Sequence, residues 1–293
     1  AGSASMAVEN YSSAGSIQAG KGFSMGNQLT FTGGGELDNG MTVGISFVLD
    51  QGDDGTTTGT AHNGTSPFDG HSVSISSDAL GKLTMHGEGG SSAQAALDTT
   101  AAGDIWDTFD GTTTGTTVSS SSSGADIMVY TLPTLMDGLS VSASYSPQQS
   151  SVSSSTAYGI TYTGVEGLSV SYGVGEVTTT AAGLNADATT MKASYAIGSF
   201  TLAYSNNDYA TDTASKDQDT NSYKVSYTVS DAISVSYGTE AITLEGDSDE
   251  AEYEKLSVAY TSGGMTVTAT QASSKDALHG TTDLEDRDYW SLG

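Results

Sequence analysis

Apolar and polar residues alternate one by one through segment after segment of this chain, and that pattern restricts it to sheets. Residues 138–145 read Gly-Leu-Ser-Val-Ser-Ala-Ser-Tyr, 167–174 read Gly-Leu-Ser-Val-Ser-Tyr-Gly-Val, and 232–238 read Ala-Ile-Ser-Val-Ser-Tyr-Gly. A period of two puts Leu168, Val170 and Tyr172 on one face and Ser169 and Ser171 on the other. Strong helix formers are scarce, whereas Ser, Thr, Gly, Val and Tyr abound. Strand signals mark about sixteen segments. They span 2–10, 28–37, 41–50, 70–77, 81–87, 126–133, 138–146, 156–164, 167–176, 186–196, 198–208, 219–229, 232–242, 252–262, 264–274 and 286–293.

The connections alternate between short and long. Asp38-Asn39-Gly40, Met136-Asp137-Gly138, Val165-Glu166-Gly167, Ile197-Gly198 and Ser262-Gly263-Gly264 are tight hairpin turns. Residues 51–69, 88–125, 209–218, 243–251 and 275–285 form longer loops rich in Gly, Thr, Ser and Asp. An up-and-down sheet with its short turns at one end and its long loops at the other is the pattern of a transmembrane barrel. Greek-key sandwiches have no reason to keep such an alternation. No linker interrupts the chain, so residues 1–293 are expected to form a single domain.

Composition removes the main competitors. The 35 acidic residues against 8 Lys and Arg give a net charge of −27, the wrong sign for nucleic-acid binding. Cysteine is absent, which excludes disulfide scaffolds and thiol chemistry. Mean hydropathy is −0.22, and no apolar run is long enough for a spanning helix. Barrel strands escape that test, because their alternation averages out. Residues Ala1 to Ser5 show neither a basic nor an apolar leader region, so any signal peptide is expected to have been removed.

About sixteen strands enclose a tube too wide for its own side chains to fill, so the small polar face lines a wet lumen and the apolar face meets lipid. Tyrosines of the apolar face segregate by height. Tyr145, Tyr172, Tyr204 and Tyr237 come far from the short turns, and Tyr162, Tyr195, Tyr227 and Tyr260 come near them. Strand propensity explains tyrosine in strands but not two rings, which are expected of an aromatic girdle. The first five strands lack these rings and present Met6, Val8, Phe31, Ile45, Val73 and Met85 instead. That face is expected to be a subunit interface repeated by cyclic symmetry.

In strand number, turn alternation and girdle the chain resembles the general porins of Gram-negative outer membranes over nearly its whole length. The resemblance implies a 16-stranded antiparallel transmembrane β-barrel with short periplasmic turns and long extracellular loops. It implies a homotrimer through strands 1–5, set among membrane lipid and lipopolysaccharide. It also implies a third long loop, about 88–125, folded into the lumen as a constriction. Two departures stand out. The chain stops at Trp290-Ser291-Leu292-Gly293 rather than at an aromatic residue, which questions closure against the first strand. Arg287 is its only arginine, where the family carries a cluster on the wall.

By resemblance, Glu88, Asp98, Asp104, Asp107 and Asp110 form an acidic lip on that constriction, held to the wall by Trp106 and Phe109. By parity Lys192, Lys224, Lys255 and Arg287 point away from the apolar face, as do Lys82 and His86. A charge facing lipid costs about 2–4 kcal/mol at mid-membrane, so their inward orientation is forced whatever their role. Lys192 and Lys224 are expected to oppose the acidic lip across the passage, with Lys255, Arg287 and Glu240 on the upper lumen wall. Loop acids such as Asp53, Asp54, Asp212, Asp247, Glu250, Asp283 and Glu285 favour weak cation selectivity. Asp217, Asp219 and Asn221 resemble the start of a calcium loop but lack its glycine and closing glutamate. Loop-bound divalent cations such as Ca2+ are therefore the one ligand considered, and no cofactor is expected. No H-E-x-x-H or G-x-S-x-G motif is present, so an enzyme is not expected. The expected function is passive diffusion of ions and small hydrophilic solutes. The alternative is a secreted acidic calcium-binding surface or adhesin protein.

Overall fold

The computed structural model describes residues 2–13, 20–50, 68–109, 118–147, 154–178, 185–247, 249–277 and 286–293. Sixteen strands form one closed antiparallel barrel in which sequence neighbours pair and the last strand returns to the first. They are β1 (Gly2–Ser13), β2 (Gly20–Glu36), β3 (Thr42–Asp50), β4 (Phe68–Ser77), β5 (Gly81–Glu88) and β6 (Ile127–Thr131). Next come β7 (Leu139–Ser146), β8 (Ser154–Tyr162), β9 (Leu168–Thr178), β10 (Ala186–Ile197) and β11 (Phe200–Thr211). The wall ends with β12 (Gln218–Ser230), β13 (Ile233–Leu244), β14 (Ala251–Ser262), β15 (Met265–Lys275) and β16 (Arg287–Leu292). The short turns place glycine in the left-handed region, as at Gly81 (φ 77°) and Gly167 (φ 76°).

The two faces have the polarity expected from the alternation. On β9, Tyr172 is 47% exposed and Val170 38%, whereas Ser171 between them is 8% exposed. Tyr145, Tyr195, Tyr227, Tyr237 and Tyr260 are likewise exposed on the outer surface. What is buried lies inside the tube. Ile105 and Phe109 of the long segment between β5 and β6 pack on Ile242, Ala251, Tyr253 and Ala272 of the wall.

Three elements differ from the sequence reading. β2 begins at Gly20 rather than 28, and Gly20 to Leu29 pair with β1. The positions opposite Glu9 and Ser5 are Gly22 and Gly26, so alternation there is between glycine and Phe23 or Met25, which reads as loop. β11 runs to Thr211 rather than 208, so residues 209 to 211 belong to the strand and not to the loop. The closure left in question is made: β16 pairs with β1 from Val8↔Leu292 to Ser13↔Arg287, and with β15 from Ala269↔Leu292 to Ser274↔Arg287.

Candidate functional site

The segment between β5 and β6 lies along the inner wall, and the wall is shaped to receive it. Its two ends join in a two-residue ribbon, Gly90–Ser91 against Ser123–Gly124. Beyond the ribbon, Ala93 N donates to Ser144 Oγ of β7 (2.8 Å), and Gln94 Nε2 donates to Thr190 Oγ1 of β10 (2.8 Å). Ala101 N donates to Ser205 Oγ of β11 (2.8 Å), and Ala102 N to Ser222 Oγ of β12 (2.9 Å). The returning limb is held by Ser119 N to Gln218 Oε1 (2.8 Å) and by Ser121 N to Gln94 Oε1 (2.8 Å). Glycines on the wall leave room for this approach: a Cβ on Gly238 would stand 2.7 Å from Ala102 Cβ, and one on Gly175 would overlap Ser121.

A buried carboxylate forms the deepest anchor. Glu240 on β13 is 2% exposed, accepts the hydroxyl proton of Thr100, and accepts from Trp106 N (3.0 Å). Thr100 and Asp104 close a reciprocal turn above it, Thr100 N donating to Asp104 Oδ1 (2.9 Å) and Asp104 N to Thr100 Oγ1 (2.7 Å). Asp104 itself takes a left-handed φ of 50° at the start of a short 3-10 turn, Ile105–Thr108. Phe109 then stacks on Tyr253 of β14, with ring centroids 5.9 Å apart.

The basic residues are partly spent on the same fastening. Lys192 Nζ donates to the carbonyl of Thr99 (2.6 Å), Lys255 Nζ to that of Gly103 (3.2 Å), and Arg287 to that of Phe109 (3.2 Å). Arg287 and Glu240 are buried beneath the segment and are not open lumen wall. Lys82 stands one residue above the turn at Gly81 and pairs with Ser76 and Thr131, at the short-turn mouth rather than level with the acids. His86 faces the lumen opposite Ser72. Glu88 ends β5 opposite His71, and Asp110 lies outside the described residues.

Asp98, Asp104 and Asp107 remain partly or fully exposed on the inserted segment. The segment spans β7 to β16, so the opposite side of the bore is the wall of β1 to β5. The inward rows there read Thr32, Ser46, Ser72, His86 and then Gly34, Gly44, Ser74, Thr84. Hydroxyls, glycine and the His86 imidazole therefore face the acids, where an arginine cluster was the family expectation. Burial, and then the neighbouring Asp104, raises the Asp98 carboxyl to about 6. Among the described residues no three His or acidic groups are arranged to hold a metal ion. Asp217 instead accepts from Thr211 N (2.6 Å), and Asn221 donates to Asp219.

Sequence reasoning found Trp106, Phe109 and the acids but missed Gln94, Thr100, Ser144, Ser205 and Ser222. A signal was present. Inward positions on β8 to β15 are repeatedly Ala or Gly, as at Ala157, Gly175, Ala188, Gly238 and Ala272, where a wall facing only water has no need to be small.

The whole chain has known structural counterparts. An anion-selective porin from Comamonas acidovorans superposes with a TM-score of 0.68 at 17% identity, covering 100% of this chain and 98% of that one. OmpT, an outer membrane protein of Vibrio cholerae, gives 0.68 at 13% identity over 99% and 96%. An engineered variant of the Rh. blastica porin gives 0.67 at 14% identity over 99% and 98%. Among curated protein sequences no match is found. The family model described as Gram-negative porin matches residues 1–277. With its lipid-facing apolar wall and its hydroxyl-lined bore, this chain belongs to the Gram-negative porin family and is an outer-membrane β-barrel that forms a diffusion pore.

Proposed function

We propose that the barrel is a passive, water-filled channel for ions and small hydrophilic solutes, weakly cation-selective, with the segment between β5 and β6 as its constriction. It works without catalysis or a cofactor. The observation that carries this reading is the pairing of Asp98, Asp104 and Asp107 with an opposite wall of hydroxyls, glycine and His86. Fixed negative charge on one side of a narrow wet passage enriches cations and depletes anions. Lys192 and Lys255 keep their charge while donating to carbonyls of the inserted segment and stand near Asp98, Asp104 and Asp107, which offsets part of the field and makes the preference a weak one. Reversal potentials across a planar bilayer in a salt gradient test the reading. Cation preference is expected, and anion preference overturns the selectivity while leaving the pore intact.

The selectivity is expected to fall on acidification. Above about pH 6 Asp98 is ionised, and below it Asp98 takes up a proton and the lip loses one charge. The folded segment holds this proton more tightly than a free carboxyl of pKa 3.8, so docking to the wall strengthens as pH falls from 6 toward 3.8. Reversal potentials at pH 7.5 and 5 should differ in the wild type and differ less in Asp98→Asn.

The assembly is a homotrimer through the outer face of β1 to β5, among membrane lipid and lipopolysaccharide. Met25, Phe23 and Ile45 are exposed there in place of the tyrosine rings. Ile45→Asp sets a carboxylate in that interface and is expected to give monomers in detergent. A variant that still migrates as a trimer removes this face from the assembly. The calcium-binding adhesin reading finds no support in the family match, and Asp217 and Asp219 each have partners within their own loop or ladder.

A further inference from the structure

Where the barrel closes, two tyrosines point into the bore side by side. The row of inward residues beneath the inserted segment runs from Gly238 through Lys255 to Ala272. It continues through Tyr289 of β16 to Tyr11 of β1 and Gly20 of β2. The two rings have centroids 4.7 Å apart and are inclined at 49°, so they do not close into a stack. Tyr289 also packs on the cluster of Ile105, Phe109 and Tyr253, which holds its ring in place. Both tyrosines stay partly exposed. Carboxylates flank them. Tyr289 donates its hydroxyl proton to Glu9 Oε2 (3.2 Å). Glu9 and Asp107 of the inserted segment both act electrostatically on Tyr11, so both lie close to it. The partners of Tyr11 and Glu9 on β2 are Gly20 and Gly22, which carry no side chain and leave this corner open on that side.

An aromatic face attracts cations through its quadrupole, and the attraction grows when the cation is stripped of water. A phenol that donates to a carboxylate, as Tyr289 does, is polarised toward a more electron-rich ring. Potassium and sodium ions hold their water tightly and gain little from such a wall. A methylated ammonium group is weakly hydrated and presents methyl groups that fit against rings. The neighbouring basic residues sharpen this distinction. Lys255 and Arg287 keep their charge while donating to the carbonyls of Gly103 and Phe109. Their field weakens the pull of Glu9 and Asp107 on every cation alike, whereas the ring faces favour only the cation with an apolar shell. Two rings inclined to each other also wrap a small rounded group better than they support a flat sugar ring.

We propose that Tyr11, Tyr289, Glu9 and Asp107 form a subsite for methylated ammonium solutes beside the constriction, with the ammonium group against the two rings and between the two carboxylates. The subsite rests on the reading of the barrel as an open channel and discriminates among the cations that the acidic lip admits. Single-channel potassium currents across a planar bilayer, recorded before and after addition of choline chloride, test it. Choline should lower the current to a saturating level. Its uncharged analogue, with carbon in place of the nitrogen, should need about a tenfold higher concentration for the same effect. Tyr11→Leu and Tyr289→Leu keep apolar bulk without a ring, and each should raise the half-blocking concentration of choline about fivefold. Tyr11→Phe keeps the ring and should retain the block. The comparison of choline with its analogue on the wild type decides the matter even where a leucine variant fails to insert. Each recording begins with the potassium current, so a failed channel is told apart from a failed subsite. A pore that prefers anions yet is blocked by choline removes the proposed selectivity and supports the subsite. An open channel that choline does not block, equal block by the uncharged analogue, or an unchanged half-blocking concentration in both leucine variants overturns the proposal.

Discussion

Glu240→Ala is expected to detach the inserted segment from the wall and turn a steady channel into a fluctuating one. The substitution leaves the Thr100 hydroxyl and the Trp106 N–H without their acceptor in a buried place. Each such orphaned group costs about 1–3 kcal/mol, so the two together cost about 2–6 kcal/mol. That is enough to populate undocked states, because every 1.4 kcal/mol is about a factor of ten in their equilibrium. The barrel itself should survive, since its ladder hydrogen bonds do not involve this side chain. Single-channel recordings should show flicker absent from the wild type, and limited proteolysis should cut between Ala93 and Phe109. Quiet recordings and an uncut segment would show that the serine contacts hold it alone. Glu240→Gln keeps one acceptor oxygen and should lie between the two.

Gly238→Val should produce a comparable loss by a different route. Its Cβ would lie 2.7 Å from Ala102 Cβ, and the closest neighbours on the other side are backbone, so the segment rather than the strand must give way. Overpacking of this kind costs about 1–3 kcal/mol. The only free direction is toward the opposite wall, so conductance should fall, with the hydrogen bond from Ala102 N to Ser222 lost first. Gly175→Val tests the same idea against Ser121 on the returning limb. Conductance equal to that of the wild type in both variants would show that the segment does not narrow the bore.

The architecture was largely legible because alternation is a local property. Leu168, Val170 and Tyr172 could be assigned outward from their own neighbourhood, and the tyrosine heights followed from counting along strands. Where the alternating partner was glycine, as at Gly22 and Gly26, the same rule lost the strand. The site was legible only in part, because docking joins positions far apart in sequence. Glu240 looked like a lumen-wall acid, and nothing near it announces Thr100, which lies 140 residues earlier. Lys192, Lys255 and Arg287 were correctly turned inward by parity, yet parity says nothing about what they meet there. Their carbonyl partners belong to a segment whose path no strand pattern encodes.

The fastening of the inserted segment uses serine hydroxyls, carboxamides, peptide carbonyls and a buried carboxylate that accepts from neutral donors. None of these contacts joins two opposite charges, and Lys192, Lys255 and Arg287 donate to neutral carbonyls, so mobile ions weaken the attraction of the lysines to nearby carboxylates without breaking a hydrogen bond between ions. A bacterium passing between dilute and saline water would then change the ion current through this barrel without changing the width of its throat. Selectivity would follow the medium while the sieve stayed fixed.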